Sequence, residues 1–299
     1  MTTPNLKKSD FQVVSLKRNP TSPRTLFGLI MSGIAGLFTL IAIIPLFIIL
    51  TYLITKGIGS LSASVFTELP PPPLVDGGGF GNAIVGTIIM VGIGALISVP
   101  IGIMAAIYLS EFSEGSKVAQ WIRFATNVLS GVPSIIIGVF AYGAIVLTFK
   151  QYSAWAGGFA LSILMLPIIV RTTDEALKLV PQEVRQASRG VGANDYQTVL
   201  QVVLPAAIPA IITGVTLAIA RAAGETAPLL FTALFTQFWP DWDNLFVEPT
   251  ASLAVLVYNF AIVPFQNQQE LAWAAAFILV LLVLITSIIS RIATAQRTY

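Results

Sequence analysis

The chain has 299 residues, of which 56% are hydrophobic and only 10% are charged, and its mean hydropathy is +0.85. This composition excludes an ordinary soluble domain and indicates an integral membrane protein. Cysteine and histidine are both absent. Their absence excludes disulfides, thiolate nucleophiles, imidazole acid–base chemistry and the usual zinc or haem ligands, so neither a metal nor another cofactor is expected.

Six stretches without a charged residue reach the roughly 20 residues that a spanning helix requires. In chain order they are 26–55, 77–110, 124–149, 151–170, 196–220 and 271–290. The first is too long for the apolar region of a signal peptide and follows a polar tail, so we interpret it as a retained helix. The sequence therefore predicts an all-α polytopic membrane protein with six transmembrane helices.

The basic residues predict how these helices are oriented. With a cytoplasmic N-terminus, thirteen of the sixteen basic residues fall in cytoplasmic segments and only Lys56 and Lys150 fall outside, as the positive-inside rule requires. Both termini are therefore assigned to the cytoplasm, with one tail over 1–25, a transmembrane domain over 26–292 and a second tail over 293–299. The net charge of +2 is an orientation signal rather than a nucleic-acid-binding surface.

Two long loops lie on the outer side in this topology. The first, LPPPPLVDGGGFGN, is predicted to be a stiff proline segment followed by a glycine hinge. The second, QFWPDWDNLFVEP, combines tryptophans with acidic residues, a composition typical of a segment at the membrane interface. A docking surface for an external partner is the alternative interpretation of this second loop.

Glycines and prolines are frequent within the spans, and they predict a closely packed, bent bundle. In the third span Pro133 frees backbone carbonyl groups from helical hydrogen bonds. Ser130 and Ser134 flank this proline, and their hydroxyls are placed to bond either the backbone or a substrate.

The loop at about 172–204 is the most polar segment that is predicted to be ordered. Gly190 and Gly192 supply a turn that a left-handed backbone conformation closes. Asn194 or Asp195 then caps a second short helix that runs to Pro205. The sequence predicts two short helices joined by a glycine turn, projecting from the membrane as a compact unit; a simple connector is the alternative.

This loop resembles the EAA signature of ABC importer permeases, in which a Glu-Ala-Ala triplet precedes a glycine and a hydrophobic-x-Leu-Pro ending. The chain has Gln-Ala-Ser in place of the triplet, then the glycine and Val-Val-Leu-Pro at matching spacing. The resemblance implies that the two short helices are coupling helices that contact a cytoplasmic ATPase. The residues that it assigns to this contact are Gln186, Ala187, Ser188, Gly192, Ala193, Asn194 and Asp195.

Three further stretches extend the resemblance over most of the chain from about residue 80. SGVPSIIIGVF, LPIIVRTTDEAL and RAAGETAPLL are similar to the A-type permease subunits of bacterial phosphate ABC importers. The resemblance implies the type I ABC importer permease (MetI-like) architecture and a location in the bacterial inner membrane. It also implies a second, C-type permease, two ATP-binding subunits and an extracytoplasmic phosphate-binding protein as partners. The chain has no G-x-x-x-x-G-K-[ST] loop of its own, so another subunit must bind ATP.

Arg221 and Glu225 are charged residues in an otherwise apolar stretch, ARAAGETAP. In a helix that begins near Pro205, Arg221 lies about 24 Å along the axis and one turn before Glu225 on the same face. Exposing this arginine to lipid would cost at least about 2.5 kcal/mol. Two interpretations stay open. The pair is a salt bridge that locks two helices, or it is a gate where the guanidinium binds phosphate oxygens.

In the gate interpretation, Glu225 either orients Arg221 or accepts a hydrogen bond from a phosphate hydroxyl, a group that sulfate lacks at neutral pH. Arg171, at the end of the fourth span, is either an exit-site residue or a positive-inside anchor. The residues predicted to line the substrate pathway are Arg221, Glu225, Thr226, Ser130, Ser134 and Arg171.

Other functional classes remain as alternatives at this stage. An ABC permease for another solute has the same EAA-like loop, although the GETAP stretch disfavours it. A gradient-driven transporter or channel also has such spans, but it needs no ATPase partner. An intramembrane hydrolase is disfavoured because Glu225 has no histidine, cysteine or second acid in its span.

Overall fold

The computed structural model describes residues 22–113, 115–244 and 247–295, with side chains as far as residue 292. Within these ranges the regular structure is helical and no β-strand occurs, which confirms the all-α class. The predicted tails over 1–25 and 293–299 fall mostly outside the described residues, so their assignment stays a prediction.

The described residues form α-helices joined or extended by three π-helical turns. The α-helices are α1 (Pro23–Gly59), α2 (Ser64–Thr67), α3 (Gly81–Ile107), α4 (Lys117–Gly131), α5 (Ser134–Ala141), α6 (Leu147–Phe149), α7 (Ala154–Lys178), α8 (Gln182–Gly190), α9 (Asp195–Thr198), α10 (Leu204–Ala223), α11 (Ala227–Thr232), α12 (Leu253–Ile262) and α13 (Gln266–Ala295). The π-helical turns are Tyr108–Phe112 after α3, Tyr142–Val146 after α5 and Val199–Val203 after α9.

Five helical segments are long and apolar enough to cross a membrane, namely Pro23–Gly59, Gly81–Phe112, Ala154–Lys178, Asp195–Ala223 and Gln266–Ile292. A sixth span exists if Lys117–Gly131 and Ser134–Phe149 are counted together, although the two parts are bent by 103°. The structure therefore agrees with six predicted spans but replaces the single third span over 124–149 with two helices.

The bend between α4 and α5 has a local cause. Val132 precedes Pro133 and has φ −72° and ψ 129°, which is an extended conformation. A residue before proline is driven out of the helical region because the proline ring clashes with its backbone. Ser130 and Ser134 thus lie on either side of a sharp turn rather than within one helix.

Residues up to Tyr52 and residues from Leu53 onward form two compact units. In the first unit the described residues are the N-terminal part of α1, an apolar helix whose side chains are exposed over most of its length. The second unit contains the end of α1 and all later helices, and the sites described below belong to it.

α7 is the central helix of the second unit. It packs against α3, α4, α5, α10 and α11. Its buried side chains include Leu161, Met165 and Ile169, which share one apolar core with Met90 of α3 and Ala218 of α10. Burial on several sides explains why this segment is apolar nearly all round rather than amphipathic.

Small residues let α3 and α7 approach each other closely. A Cβ atom added at Gly158 would lie 2.5 Å from the Cβ of Ile93 and 3.1 Å from the carbonyl oxygen of Met90. A Cβ added at Gly94 would lie 3.2 Å from the carbonyl oxygen of Gly158. Close backbone approach of this kind is a common basis of helix association in membranes.

We expect the substitution Gly158→Val to lower the thermal unfolding midpoint in detergent, because overpacking costs about 1–3 kcal/mol. Gly92→Val is the matched control, since a Cβ at Gly92 meets no atom within 4 Å. Circular dichroism of the two purified variants measures the difference. Equal midpoints would show that the α3–α7 contact is not tight at Gly158.

The second unit has two distinct ends, which we name by their contacts. At the α8 end, the C-terminal parts of α3 and α7 meet α8 and α9, for example through the rings of Phe112 and Tyr196, whose centroids are 5.0 Å apart. At the α11 end, the N-terminal parts of α3 and α7 meet α11 and residues 233–244 and 247–252. There the amide of Ser153 donates to the carbonyl oxygen of Thr232 at 3.1 Å.

Two predicted boundaries were wrong. The second short helix of the polar loop does not end at Pro205, because the span Asp195–Ala223 continues through it. Proline is tolerated where helical hydrogen bonding is already interrupted, and the π-helical turn Val199–Val203 supplies that interruption. The helix of the fourth span does not end at Arg171 either, since α7 extends to Lys178 and places Arg171 two turns before its end.

Candidate functional site

The GETAP stretch forms a break between two helices. α10 ends at Ala223, and α11 begins at Ala227 with Pro228 in its first turn. The Arg221 carbonyl oxygen still accepts from the amide of Gly224 at 3.2 Å, and the carbonyl oxygen of Thr226 accepts from the next helix. Glu225 therefore lies beyond the end of α10 and not on a continuous helical face. Non-helical backbone at membrane depth is tolerated where it is buried in protein or lines an aqueous cavity.

Arg221 and Glu225 form a loose ion pair. The Nε atom of Arg221 lies 3.6 Å from Oε1 of Glu225, which is longer than a hydrogen bond. The arginine side chain is 54% exposed, whereas the glutamate side chain is 17% exposed. Both residues belong to one short segment, so their contact does not join two packed helices. The guanidinium group has donors left for another acceptor.

Arg221 ends an exposed stripe along α10. Exposed residues recur every three or four positions, at Ala206, Ala210, Thr213, Leu217 and Arg221. The adjacent face is buried, and a Cβ added there at Gly214 would lie 2.2 Å from Oγ1 of Thr172. Because an arginine on a lipid-facing surface is costly, the outward face at Arg221 requires water or a partner protein.

Ser130 and Arg171 lie in a different place, a cavity of about 550 Å³ between α4 and α7. The Arg171 Nε atom donates to Oε1 of Glu175 at 3.0 Å in an exposed ion pair. The hydroxyl of Ser130 donates its hydrogen to the carbonyl oxygen of Thr126 at 2.9 Å, which is a bond to the backbone of its own helix. Ser134 is the first residue of α5, directly after the bend.

A charged cluster that the sequence did not reveal lines the same cavity. Arg123 donates twice to the carboxylate of Asp174, with Nη2–Oδ1 at 3.1 Å and Nε–Oδ2 at 3.3 Å. Lys178 donates to the same carboxylate, and Arg123 also donates to the carbonyl oxygen of Leu109 at 2.9 Å. The i,i+4 spacing of Asp174 and Lys178 is readable in the sequence, whereas Arg123 is 51 residues away.

The predicted pathway residues thus form two groups. Arg221, Glu225 and Thr226 lie at the helix break, and Ser130 and Arg171 lie in the α4–α7 cavity. Pro205 lies at the α8 end of α10, and Arg221 lies about 24 Å further along the helix axis, toward α11. The helix break is therefore far from the α8 end. Leu109, which also lines the cavity, lies at the α8 end of α3.

The polar loop between α7 and α10 has the predicted helix-turn-helix form. Gly192 has φ +96°, a left-handed conformation that favours glycine. Asn194 caps α9 in a capping box, accepting from the amide of Gln197 at 2.8 Å, while the Gln197 side chain accepts from the Asn194 amide at 2.9 Å. The structure thus selects Asn194 rather than Asp195 as the capping residue.

The α8–α9 turn presents a mixed surface. Gln186 and Ala187 are exposed, whereas Ser188 is buried and its hydroxyl lies 3.0 Å from that of Thr198. Asp195 forms an exposed ion pair with Arg189. Large apolar side chains are also exposed here, including Leu179, Val191, Tyr196 and Leu200. Such a patch on a projecting turn is typical of a protein-binding surface.

Residues 233–244, the first described part of the loop between α11 and α12, are attached to the start of α3. The side-chain amide of Asn82 donates to the carbonyl oxygens of Thr236 and Phe238, both at 3.1 Å. Asn244 donates to Oδ2 of Asp241 at 2.7 Å, and this hydrogen bond lowers the pKa of the Asp241 carboxyl. The loop is therefore held against the bundle at the α11 end.

Residues 98–296 match the family profile of the binding-protein-dependent transport system inner membrane component. Among curated proteins, the chain is 44% identical over 263 residues to the phosphate transport system permease protein PstA of Haemophilus influenzae, covering 88% of this chain and 92% of that protein. It is 41% identical over 246 residues to PstA of Yersinia pestis, covering 82% of each. It is 30% identical over 251 residues to a probable PstA of Methanocaldococcus jannaschii, covering 84% of this chain and 88% of that protein.

Solved structures show the same fold at low sequence identity. A subunit of the MetNI methionine ABC transporter in an inward-facing conformation aligns with a TM-score of 0.57 and 19% identity, covering 73% of this chain and 94% of that one. A subunit of a bacterial alginate ABC transporter, in complex with an alginate-bound periplasmic protein, aligns with a TM-score of 0.62 and 12% identity, covering 91% and 96%. The MetI-like permease architecture is thereby confirmed.

Proposed function

The chain belongs to the PstA family of phosphate transport system permeases, and from that membership we propose which of its residues carry phosphate and which contact the ATPase. The chain is a transmembrane permease subunit of an ATP-driven phosphate importer, an integral protein of the inner membrane. Its relatives are transport permeases rather than enzymes, and they belong to importers with partner subunits.

The phosphate path passes the helix break at Arg221, Glu225 and Thr226 in our proposal. The observation that carries it is the exposed guanidinium group of Arg221 at the end of α10, held only loosely by Glu225. Guanidinium donors match phosphate oxygens in geometry and charge. Glu225 is placed to orient Arg221 or to accept from a phosphate hydroxyl, which disfavours a fully deprotonated anion such as sulfate.

The α4–α7 cavity forms a second part of the path, closer to the exit. Arg171 contributes an exposed positive charge there, Ser130 lines the same cavity, and Ser134 follows the bend as the first residue of α5. The lining has three basic residues, Arg123, Arg171 and Lys178, and two acidic ones, Asp174 and Glu175, so the cavity is only weakly positive. A weak site suits an exit because a pathway residue must not trap the anion.

The α8–α9 turn contacts the ATPase subunit in our proposal. Gln186 and Ala187 are exposed on α8, while Gly192, Ala193, Asn194 and Asp195 form the projecting turn. Ser188 supports the turn from inside through Thr198. The exposed apolar side chains around this turn favour burial in a groove of another protein.

The partners are a second, C-type permease, two copies of an ATP-binding subunit and an extracytoplasmic phosphate-binding protein. The positive-inside distribution supports cytoplasmic termini, with the α8 end in the cytoplasm and the α11 end outside. The two permeases would enclose the path between them and expose it alternately to either side. The described residues 233–244 and 247–252 at the α11 end are then a candidate contact for the binding protein.

We expect the chain to bind no ATP when it is purified alone, because it lacks a phosphate-cradling loop. Purified in mild detergent from membranes that contain the whole importer, it should carry an ATPase subunit with it. Isothermal titration with ATP and mass spectrometry of the co-purified chains measure the two outcomes. Specific ATP binding by the isolated chain, or a chain recovered without any ATPase, would contradict the assignment.

A further inference from the structure

We propose that the ion pair between Arg185 and Glu111 transmits movement of α8 to the spans α3 and α7. The inference rests on the proposed contact between α8 and the ATPase. It concerns two residues that the phosphate path and the EAA-like motif do not include.

The pair is buried and has two-point geometry. Nη2 of Arg185 donates to Oε1 of Glu111 at 2.8 Å, and Nε donates to Oε2 at 3.2 Å. Both side chains are only 8% exposed. Paired parallel hydrogen bonds between a guanidinium and a carboxylate fix the relative orientation of the two groups as well as their distance.

The same guanidinium also contacts the end of α7. Nη2 of Arg185 donates to the carbonyl oxygen of Leu177 at 2.8 Å, and Nη1 donates to that of Val180. These contacts engage four of the five N–H groups that an arginine has. Leu177 lies in the last turn of α7, and Val180 lies in the short link to α8.

Arg185 therefore connects three elements through one side chain. It belongs to α8, its carboxylate partner lies in the π-helical turn Tyr108–Phe112 at the end of α3, and its carbonyl partners lie at the end of α7. Since the side chain is held at four points, α8 cannot shift without moving α3 and α7 or breaking a buried charge pair. Breaking such a pair is strongly unfavourable because it leaves a buried charge uncompensated.

The other ion pair of α8 has a different geometry. Arg189 and Asp195 are 56% and 66% exposed, and their contact joins α8 to the start of α9 across the Gly192 turn rather than to α3 or α7. Exposed pairs of this kind contribute little energy. The burial, the two-point geometry and the 74 residues between Glu111 and Arg185 distinguish the transmitting pair.

The test uses the complete importer in proteoliposomes and measures phosphate imported per ATP hydrolysed. We expect Glu111→Gln, which preserves the shape of the side chain, to lower this ratio about three- to fivefold. Arg185→Gln should lower it at least as much. The double variant should be no worse than Arg185→Gln alone, because contacts that act as one unit are not additive.

Glu270→Gln is the matched control, since Glu270 is an exposed carboxylate near the start of α13 that accepts a local hydrogen bond from Gln266. Its ratio should equal that of the unmodified importer. A purely structural role would lower the yield and the unfolding midpoint of the Glu111→Gln importer but leave the ratio unchanged, and that result would overturn the proposal.

The variant Gly192→Val separates this inference from the coupling role of α8 itself. If Gly192→Val lowers the ratio and Glu111→Gln does not, the α8 contact stands and the transmitting pair is overturned. If neither lowers it, the contact between α8 and the ATPase is itself wrong, and the inference fails with it.

Discussion

Replacing Arg221 and Glu225 together with glutamine should reduce phosphate import by about 10- to 100-fold, while the importer still assembles. The expected loss corresponds to about 1.5–3 kcal/mol for a hydrogen bond to a charged group. Glu225 is mostly buried, so replacing Arg221 alone also leaves an unpaired carboxylate. The double variant removes both charges and therefore isolates the requirement for the positive charge.

The measurement is phosphate uptake normalised to the amount of assembled complex in membranes. Arg221→Lys restores the charge but not the planar set of donors, so partial uptake is expected at best. Lys150→Gln is the control for loss of a positive charge at the α11 end. Lys150 is exposed, and Ser153, three residues later, contacts Thr232 at that end. Uptake at the unmodified level by the double variant would eliminate the gate and leave a structural ion pair.

The substitution Gly192→Val should uncouple ATP hydrolysis from import, lowering phosphate imported per ATP by about tenfold. Gly192 has φ +96°, and a residue with a side chain pays about 1–2 kcal/mol or more to adopt a left-handed conformation. A Cβ at this position meets no atom within 4 Å, so the effect comes from the backbone and not from a clash within this chain.

Gly190→Val is the matched control for this substitution. A Cβ at Gly190 also meets no atom within 4 Å, but Gly190 is the last residue of α8 and has no positive φ. It should retain most of the coupling. Import and ATPase association at unmodified levels in the Gly192→Val importer would show that the turn geometry is not needed for coupling.

Apolar stretches and local turn chemistry were readable from the sequence because they depend on neighbouring residues. The charge-free stretches correspond to helices, and the left-handed conformation of Gly192 and the capping role at Asn194 follow from residue type. The bend at Pro133 was readable only in part, since proline predicts an interruption but not an angle of 103°.

Contacts between distant residues were not readable from one sequence. Arg123 and Asp174 are 51 residues apart, and Glu111 and Arg185 are 74 residues apart. Each residue alone is typical of a charged segment near a membrane surface. Their pairing depends on how α3, α4, α7 and α8 pack, and that packing is decided by close approach at glycines and by buried apolar side chains. The division of the predicted pathway residues into two groups has the same origin.

The helical path from Asp195 to Ala223 includes the π-helical turn Val199–Val203 and places the α8–α9 turn and Arg221 at the two ends of one long element. The 26 residues from Asp195 to Arg221 span about 39 Å at about 1.5 Å per residue. A tilt of about 10° pivoting near the cap at Asn194 would displace Arg221 sideways by about 7 Å for a rod of that length. Such a displacement is larger than the ion-pair contact itself. Under the proposed contact between the α8–α9 turn and the ATPase, a small rotation at that turn would shift Arg221 and Glu225 together against the facing side of the path.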